Sequence, residues 1–323
     1  DAGLSRGLGD VYKRQSKECG MMKVSIVGLG SLGGFLAARL SSFPDIQIQW
    51  VYRKSSIRQD EQVLLTYPET DEPLIGQAHA TSYGLEQVTG DVVFITTKAQ
   101  DNRALFEQAK AWTNKTIALL QNGIGEDEKL AQALDSSNAI ISAVTHLKAS
   151  YTTAPYQVTL HNQLLDCVYA VHKGQANPYL DSILSHAFDE VKRETSTYHA
   201  RLPKLMISFA ANAASFIFDA DMYGLANNAK CRELMLEIEQ EFLALFDALS
   251  IPHPKLTISE LISLLDSPSY KDAYFSMKED FDSGKQVEFE TIFQATRSLA
   301  ALHHVSFTRG NQVCHTLENL LRK

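Results

Sequence analysis

Cysteine, basic runs and long apolar stretches are what this 323-residue sequence has little of, and each shortage narrows the reading. Its four cysteines (Cys19, Cys167, Cys231, Cys314) stand far apart, with no CxxC pair and no Cys/His cluster. That argues against a disulfide scaffold and a structural zinc site, and it fits a reducing, cytoplasmic setting. No long Lys/Arg run occurs and the formal net charge is −8. The basic stripe that holds nucleic acid or an anionic membrane surface is therefore missing. No apolar stretch approaches the roughly 20 residues that span a bilayer. What remains is ordinary globular composition, 45% hydrophobic and 21% charged, with length enough for two domains.

Residues 1–20, "DAGLSRGLGDVYKRQSKECG", carry neither apolar periodicity nor the apolar core of a signal peptide. They are set apart as a non-native or disordered leader. The fold is expected in 21–195, a nucleotide-binding α/β domain, and in 196–323, an all-helical domain.

"KVSIVGLGSLGGFLAARLSSF" predicts a buried strand (Val24–Val27), a glycine turn, and an apolar-periodic helix to about Ser42. The turn reads Gly28-Leu29-Gly30-Ser31-Leu32-Gly33. Gly28 permits the tight turn, and Gly30 lets backbone approach a pyrophosphate. Gly33 lets the helix pack on the strand, while the helix N-terminus faces the phosphate charge. Following a strand and opening a helix, this is a dinucleotide-binding fingerprint.

The next strand, Ile46–Arg53, ends where the adenosine ribose should lie. NAD-preferring sites usually place an acidic residue there. This chain offers Arg53, Lys54, Ser55 and Ser56 instead, which suit a 2′-phosphate and favour NADP(H). Further strands alternate with helices: Asp91–Thr97, Lys115–Gln121 and Ala139–His146, with helical "DNRALFEQAKAWT" and "EDEKLAQAL" between them. That alternation predicts a parallel, doubly wound sheet of Rossmann type, with ligands beyond the carboxyl ends of its strands. Lys98 and Asn122 stand at two such ends. Lys98 could contact ribose or a carboxylate, and Asn122 nicotinamide or substrate; taken singly, Lys98 reads at least as well as an exposed loop charge and Asn122 as a turn residue. "YQVTLH" and "LLDCVYAVH" then read as strands and "NPYLDSILSHAFDEV" as a helix. From about residue 195 nearly everything is helical.

In the helix from His199 to Phe218, Lys204, Ser208 and Asn212 recur every four residues among apolar neighbours and so share one face. A buried polar row must find partners. Three arrangements satisfy this one: a wet edge, an internal hydrogen-bond seam, or a cleft wall facing the nucleotide-binding half. Further on, "FSMKEDFDSGKQVEFETI" supplies Ser276 and Glu288, the latter at a helix start where a dipole role is the plain alternative. Together these residues offer a cation, a carboxylate and hydroxyls, the groups that polarise and protonate a carbonyl.

On five motifs in order the chain from Met22 onward resembles the ketopantoate reductase (2-dehydropantoate 2-reductase) family. They are "VGLGSLGG", "TTKAQD" around Lys98, "QNGIGE" around Asn122, Lys204-x7-Asn212, and Ser276-Met277-x10-Glu288. The resemblance implies a Rossmann domain, a helical domain, and substrate in the cleft between them. It further implies hydride transfer from NADPH to the ketone carbon of a 2-oxo acid, and a place in pantothenate biosynthesis. By that resemblance Lys204 is the general acid, and Asn122 and Asn212 hold substrate. Ser276 meets the substrate carboxylate, Glu288 binds a substrate hydroxyl or orients the lysine, and Lys98 lies at the nicotinamide end. Ser208 and Ala213 depart from the family's usual Asn and Pro, Tyr223 from an Asn before Gly224, and Phe293-Gln294 from an Asn-Gly. These thin the substrate-facing amides and leave a bulkier or less polar 2-oxo acid in contention. Two further alternatives are another β-hydroxyacid or opine-type dehydrogenase and a non-catalytic NADP-binding redox sensor. Pairing of two chains as a homodimer through the helical half is left open.

Overall fold

The computed structural model describes residues 21–52, 62–68, 72–82, 84–153 and 155–322. Residues 1–20 and the segment from Arg53 to Ser56 fall outside these residues. In chain order the sheet-bearing part contains β1 (Met22–Val27), α1 (Ser31–Ser41), β2 (Ile46–Val51), β3 (Gln62–Thr66), β4 (Leu74–Gln77) and β5 (Ala80–Ser82). It continues with β6 (Val92–Ile95), α2 (Asn102–Gln108), β7 (Thr116–Leu120), α3 (Glu126–Ala133), β8 (Ala139–Val144) and β9 (Ala149–Thr153). It ends with β10 (Tyr156–Leu160), β11 (Asp166–Lys173), α4 (Leu180–Ala187) and β12 (Glu190–Arg193). The elements after that are helical: α5 (Thr197–Phe218), α6 (Met222–Asn227), α7 (Ala229–Ala248), α8 (Ile258–Leu265), α9 (Ser276–Asp282), a π-helical turn Glu290–Gln294, α10 (Ala295–Leu302) and α11 (Thr308–Leu321).

The large sheet has the strand order β12-β11-β8-β7-β6-β1-β2-β5. From β5 to β8 every neighbouring pair is parallel, whereas β11 joins β8 antiparallel. Alternate residues face opposite sides, as strand geometry requires. Val92 and Phe94 enter one apolar core with Phe35, Leu36 and Trp50. Val93 and Ile95 enter another with Phe106, Trp112 and Leu130. With both faces covered, the central strands β6, β7 and β8 are apolar but for Thr116 and Ser142, which is why they are legible as continuous runs.

Two features depart from the sequence expectation. A second, mixed sheet of order β4-β3-β10-β9 packs beside α1. Its strands β3 and β4 are only 5 and 4 residues long, too short for a periodic signal. The helix expected to run through Val191 stops at Ala187, and Glu190–Arg193 pairs instead with β11 as an edge strand. Its charged side chains suit an exposed sheet edge, and they imitate a polar helix turn in sequence.

The helical part is organised around α5, whose 22 residues start from the Ser196 cap and enclose Pro203. Proline lacks an N–H, so the helix ladder loses one bond there. Phe209 sits at the centre of the helical core, with ring centroids 4.6 Å from Phe293 and 5.5 Å from both Phe242 and Phe307. Cys167, Cys231 and Cys314 are buried free thiols, each pushed up in pKa by burial. Among the described residues no helix is long and apolar enough to cross a membrane, and no group of three His, Cys, Asp or Glu could hold a metal.

Candidate active site

Because β1, β6, β7 and β8 run parallel, their carboxyl ends open on one edge of the sheet. Four segments meet there: the glycine turn after β1, Thr96–Lys98 after β6, Gln121–Gly123 after β7, and Thr145–His146 after β8.

The glycine turn is built as its spacing predicts. Gly28 has φ +96°, and a Cβ there would lie 2.7 Å from Thr97 Cγ2. A Cβ on Gly33 would lie 1.9 Å from the Gly28 carbonyl oxygen, so only glycine lets α1 start this close to β1. Around Gly30 the nearest atom is Tyr151 Cε1 at 3.9 Å, which leaves the backbone open to a ligand. Thr96 Oγ1 donates to the Gly28 carbonyl at 2.7 Å, and Tyr156 from the small sheet donates to the Gly30 carbonyl at 2.9 Å. Ser31 begins α1, no side chain caps that helix, and its first turn has no acidic residue. Its N–H groups and dipole therefore suit a diphosphate. Leu29 is buried in the core and Leu32 packs against it, so these two contribute backbone to the turn.

We expect Gly33→Ala to force the turn apart, costing about 1–3 kcal/mol by overpacking. Thermal unfolding and a fluorescence titration with NADPH check this; unchanged stability and affinity would mean the turn is slack.

The loops after β6 and β7 are tied to each other. Gln121 Nε2 donates to the Thr97 carbonyl at 2.8 Å, and the side chains of Asn102 and Gln121 exchange two bonds of 2.8 Å. Asn102 Nδ2 also donates to Glu126 at 2.7 Å. All three side chains are buried. They fix Lys98 and Asn122 relative to one another, and sequence reading missed them because amides in loops look like turn chemistry.

Lys204 reaches this edge from α5. Its Nζ donates to Asn122 Oδ1 at 2.8 Å and to the Thr145 carbonyl at 2.6 Å. Asn122 Nδ2 in turn donates to Glu288 Oε2 at 3.2 Å. Glu288 has a side chain only 3% exposed and also lies 3.5 Å from Lys98 Nζ. It lies two residues before the π-helical turn, with its carboxylate directed at Asn122 and Lys98. Burial lowers the Lys204 ammonium to about 8, opposed by Glu288 and Asp166 and assisted by Arg201 and Lys98. A lysine titrating there is poised for proton transfer near neutrality. Burial also works against the Lys98 charge, but Glu288 and Asp280 more than offset it, and its pKa stands above the ordinary lysine value. Lys98 Nζ is 2.7 Å from Asp280 Oδ2, a partner the sequence did not suggest.

The rest of the polar row is less uniform than its spacing implied. Asn212 is buried, its Nδ2 donates to the Ser208 carbonyl at 2.7 Å, and its Oδ1 is a buried acceptor without a partner. Ser208 is half-buried on the turn between. Ser276 is exposed at the start of α9, one turn before Asp280. Arg201, one turn before Lys204 and not singled out from the sequence, is 3% exposed and bonded into the sheet.

Two family models match the chain, "Ketopantoate reductase PanE/ApbA" over residues 24–168 and "Ketopantoate reductase PanE/ApbA C terminal" over residues 197–320. The chain belongs to the ketopantoate reductase family. A 2-dehydropantoate 2-reductase of Aquifex aeolicus (strain VF5) is 24% identical over 230 residues, spanning 67% of this chain and 72% of that protein. Among solved structures, the 2-dehydropantoate 2-reductase of Methylococcus capsulatus superposes with TM-score 0.77 at 18% identity, covering 93% of this chain and 96% of that one. D-mandelate dehydrogenase, solved with NADH and anilino(oxo)acetate, superposes with TM-score 0.72 at 16% identity, covering 94% and 100%. These likenesses establish a ketopantoate reductase fold, a Rossmann-like sheet followed by a helical part, in an oxidoreductase family. Within that fold the strand-end loops carrying Lys98 and Asn122 meet the helical residues Lys204, Asp280 and Glu288 directly.

Proposed function

We propose that the protein reduces a 2-oxo acid to a 2-hydroxy acid with NADPH, and that 2-dehydropantoate, yielding pantoate, is its first candidate substrate. The observation that carries this reading is the Lys204 amine, bonded to Asn122 at the strand ends and brought by burial to about 8. On this reading residues 21–195 hold the cofactor, and 196–323 supply the acid and most substrate contacts.

The diphosphate would lie on the Gly28–Gly33 turn, where the open backbone at Gly30 and the uncapped start of α1 fit it. When bound, reduced nicotinamide supplies a hydride to the ketone carbon. Lys204 donates its proton to the ketone oxygen as negative charge develops there, so C=O becomes CH–OH and the amine is left neutral. Before that transfer the ammonium also stabilises the growing oxyanion electrostatically. Asn122 holds the amine in place and, with Glu288, orients the substrate. Asn212 Oδ1 offers a buried acceptor to a substrate hydroxyl. Ser276 takes the substrate carboxylate, and Lys98 stands at the nicotinamide end, held by Asp280 and Glu288.

Selectivity for NADPH rests on the sequence directly after β2, where Arg53 offers a cation to a 2′-phosphate. We expect Arg53→Asp to lower the preference for NADPH over NADH on the order of tenfold or more. An unchanged ratio of kcat/KM values would remove Arg53 from that role.

A second reading, a bulkier or less polar 2-oxo acid, is favoured by Ser208, whose short side chain leaves room on the helix face between Lys204 and Asn212. Steady-state rates over a panel of 2-oxo acids with both cofactors decide among the readings. Highest kcat/KM on 2-dehydropantoate with NADPH supports the first, and preference for a larger acid supports the second. Tight NADPH binding with no turnover of any member would establish a non-catalytic role and overturn both.

A further inference from the structure

We propose that Arg201 is a positioning residue for the reaction. It clamps the turn that carries Asn122 onto α5, so that the Lys204 amine and the Asn122 side chain meet in one geometry. This inference rests on the reading of Lys204 as the acid.

The guanidinium is buried and all its N–H donors are engaged. Nη1 donates to the carbonyls of Gln121 at 2.6 Å and Gly123 at 3.2 Å, the two residues flanking Asn122. Nη2 donates to the Leu119 carbonyl at 3.0 Å, inside β7, and to Asp127 Oδ1 at 3.1 Å. Nε meets Ser142 Oγ of β8 at 2.5 Å and Asp127 Oδ2 at 2.9 Å. One side chain thus joins α5 to β7, β8, α3 and the substrate-side turn. The turn is gripped from its other side as well: a Cβ on Gly123 (φ +83°) would lie 2.5 Å from the Thr291 carbonyl oxygen, and Ile124 N donates to that oxygen at 3.0 Å. Arg201 and Lys204 are three residues apart, neighbours on the helix surface. Whatever fixes the first against the turn fixes the start of the second.

A buried Arg–Asp pair is weak evidence for stability, since desolvation offsets much of the attraction and apolar replacements often do as well. What the fork supplies is direction. Its planar set of donors holds three separate backbone carbonyls and a carboxylate at once, more than the three donors of a lysine ammonium can satisfy. A misplacement of about 1 Å in such a site costs on the order of a hundredfold in rate. Arg201 also places a cation near Lys204, where the other charged groups are Lys98, Glu288 just before the π-helical turn, and Asp166 from β11 with its partner His146.

Three variants separate geometry from charge, each read by kcat and KM with NADPH and 2-dehydropantoate. The titration of Lys204 is followed independently through the 13Cε resonance of labelled lysine, assigned by its loss in Lys204→Met. Arg201→Lys keeps the charge but not the fork: kcat falls on the order of tenfold or more, KM for NADPH holds, and Lys204 titrates near its wild-type value. Arg201→Met removes the charge, so Lys204 titrates higher. Asp127→Asn leaves Arg201 uncompensated, so Lys204 titrates lower and the alkaline limb of the rate moves down with it. A purely structural residue would not shift that titration in opposite directions. If Arg201→Met fails to fold, Arg201→Lys and Asp127→Asn still decide the matter. Unchanged kcat in Arg201→Lys with an unmoved titration in Asp127→Asn overturns the inference. If the wild type reduces no 2-oxo acid, the proposed function fails while the titrations still judge Arg201. If turnover depends on Lys204 but is indifferent to Arg201, only the inference falls.

Discussion

Replacing Lys204 by alanine is expected to lower kcat/KM on the order of a thousandfold, within the range that a lost general acid costs, while NADPH still binds. The separation follows from geometry. The amine bonds to Asn122 and to the Thr145 carbonyl, whereas the glycine turn is held by Thr96 and Tyr156 without it. The pH dependence sharpens the expectation. A general acid acts in its protonated form, so activity is present below its pKa and lost as pH rises through it. For Lys204 that loss should centre near 8. Lys204→Arg retains a cation that stays protonated at every accessible pH and so should remove the limb while restoring little rate. An alanine variant with the wild-type rate and pH profile would exclude the lysine as the acid.

Neutralising Glu288 should have the second largest effect, and its sign is fixed by the charge set around Lys204. Glu288 raises the lysine against the burial that lowers it. Glu288→Gln therefore moves the alkaline limb to lower pH, leaving less of the acid form at neutrality. Lys98 keeps Asp280 at 2.7 Å as a partner, so its placement should persist. The glutamine oxygen can still accept from Asn122. We expect kcat/KM to fall on the order of ten- to a hundredfold at neutral pH, and by less under acid conditions. Rate profiles of the two proteins over the same pH range provide the check; coincident limbs would mean that Glu288 does not tune the lysine.

How much of this could be read from residue order depends on how local each feature is. β1, the glycine turn and α1 form one continuous segment whose buried run and turn geometry are written in adjacent residues. They appear where the spacing places them. The parallel strands β6, β7 and β8 were legible because burial on both faces leaves them apolar but for Thr116 and Ser142. Of the small second sheet only β10 was legible, from its alternation; β3 and β4 are too short to show a period, and β3 draws β10 from about ninety residues away. At the site, helical spacing grouped Lys204, Ser208 and Asn212 correctly on one helix but could not say what each meets. Lys204 turns out to bridge to the sheet, while Asn212 bonds back to its own helix. Arg201 carried no signal at all, because an arginine near a helix start is ordinarily a solvated charge. Only the approach of β7, β8 and α3, all remote in sequence, makes it a buried clamp.

The central claim is that Lys204 protonates the oxygen of a 2-oxo acid as hydride arrives from NADPH. The most direct measurement is stopped-flow oxidation of bound NADPH on mixing with 2-dehydropantoate, from about pH 6 to about pH 10, in the wild type and in Lys204→Ala. The expected result is a fast wild-type step that declines through about pH 8 and a variant step on the order of a thousandfold slower, with no such decline. Equal rates in the two proteins, or a wild-type rate that rises through that range, would contradict it.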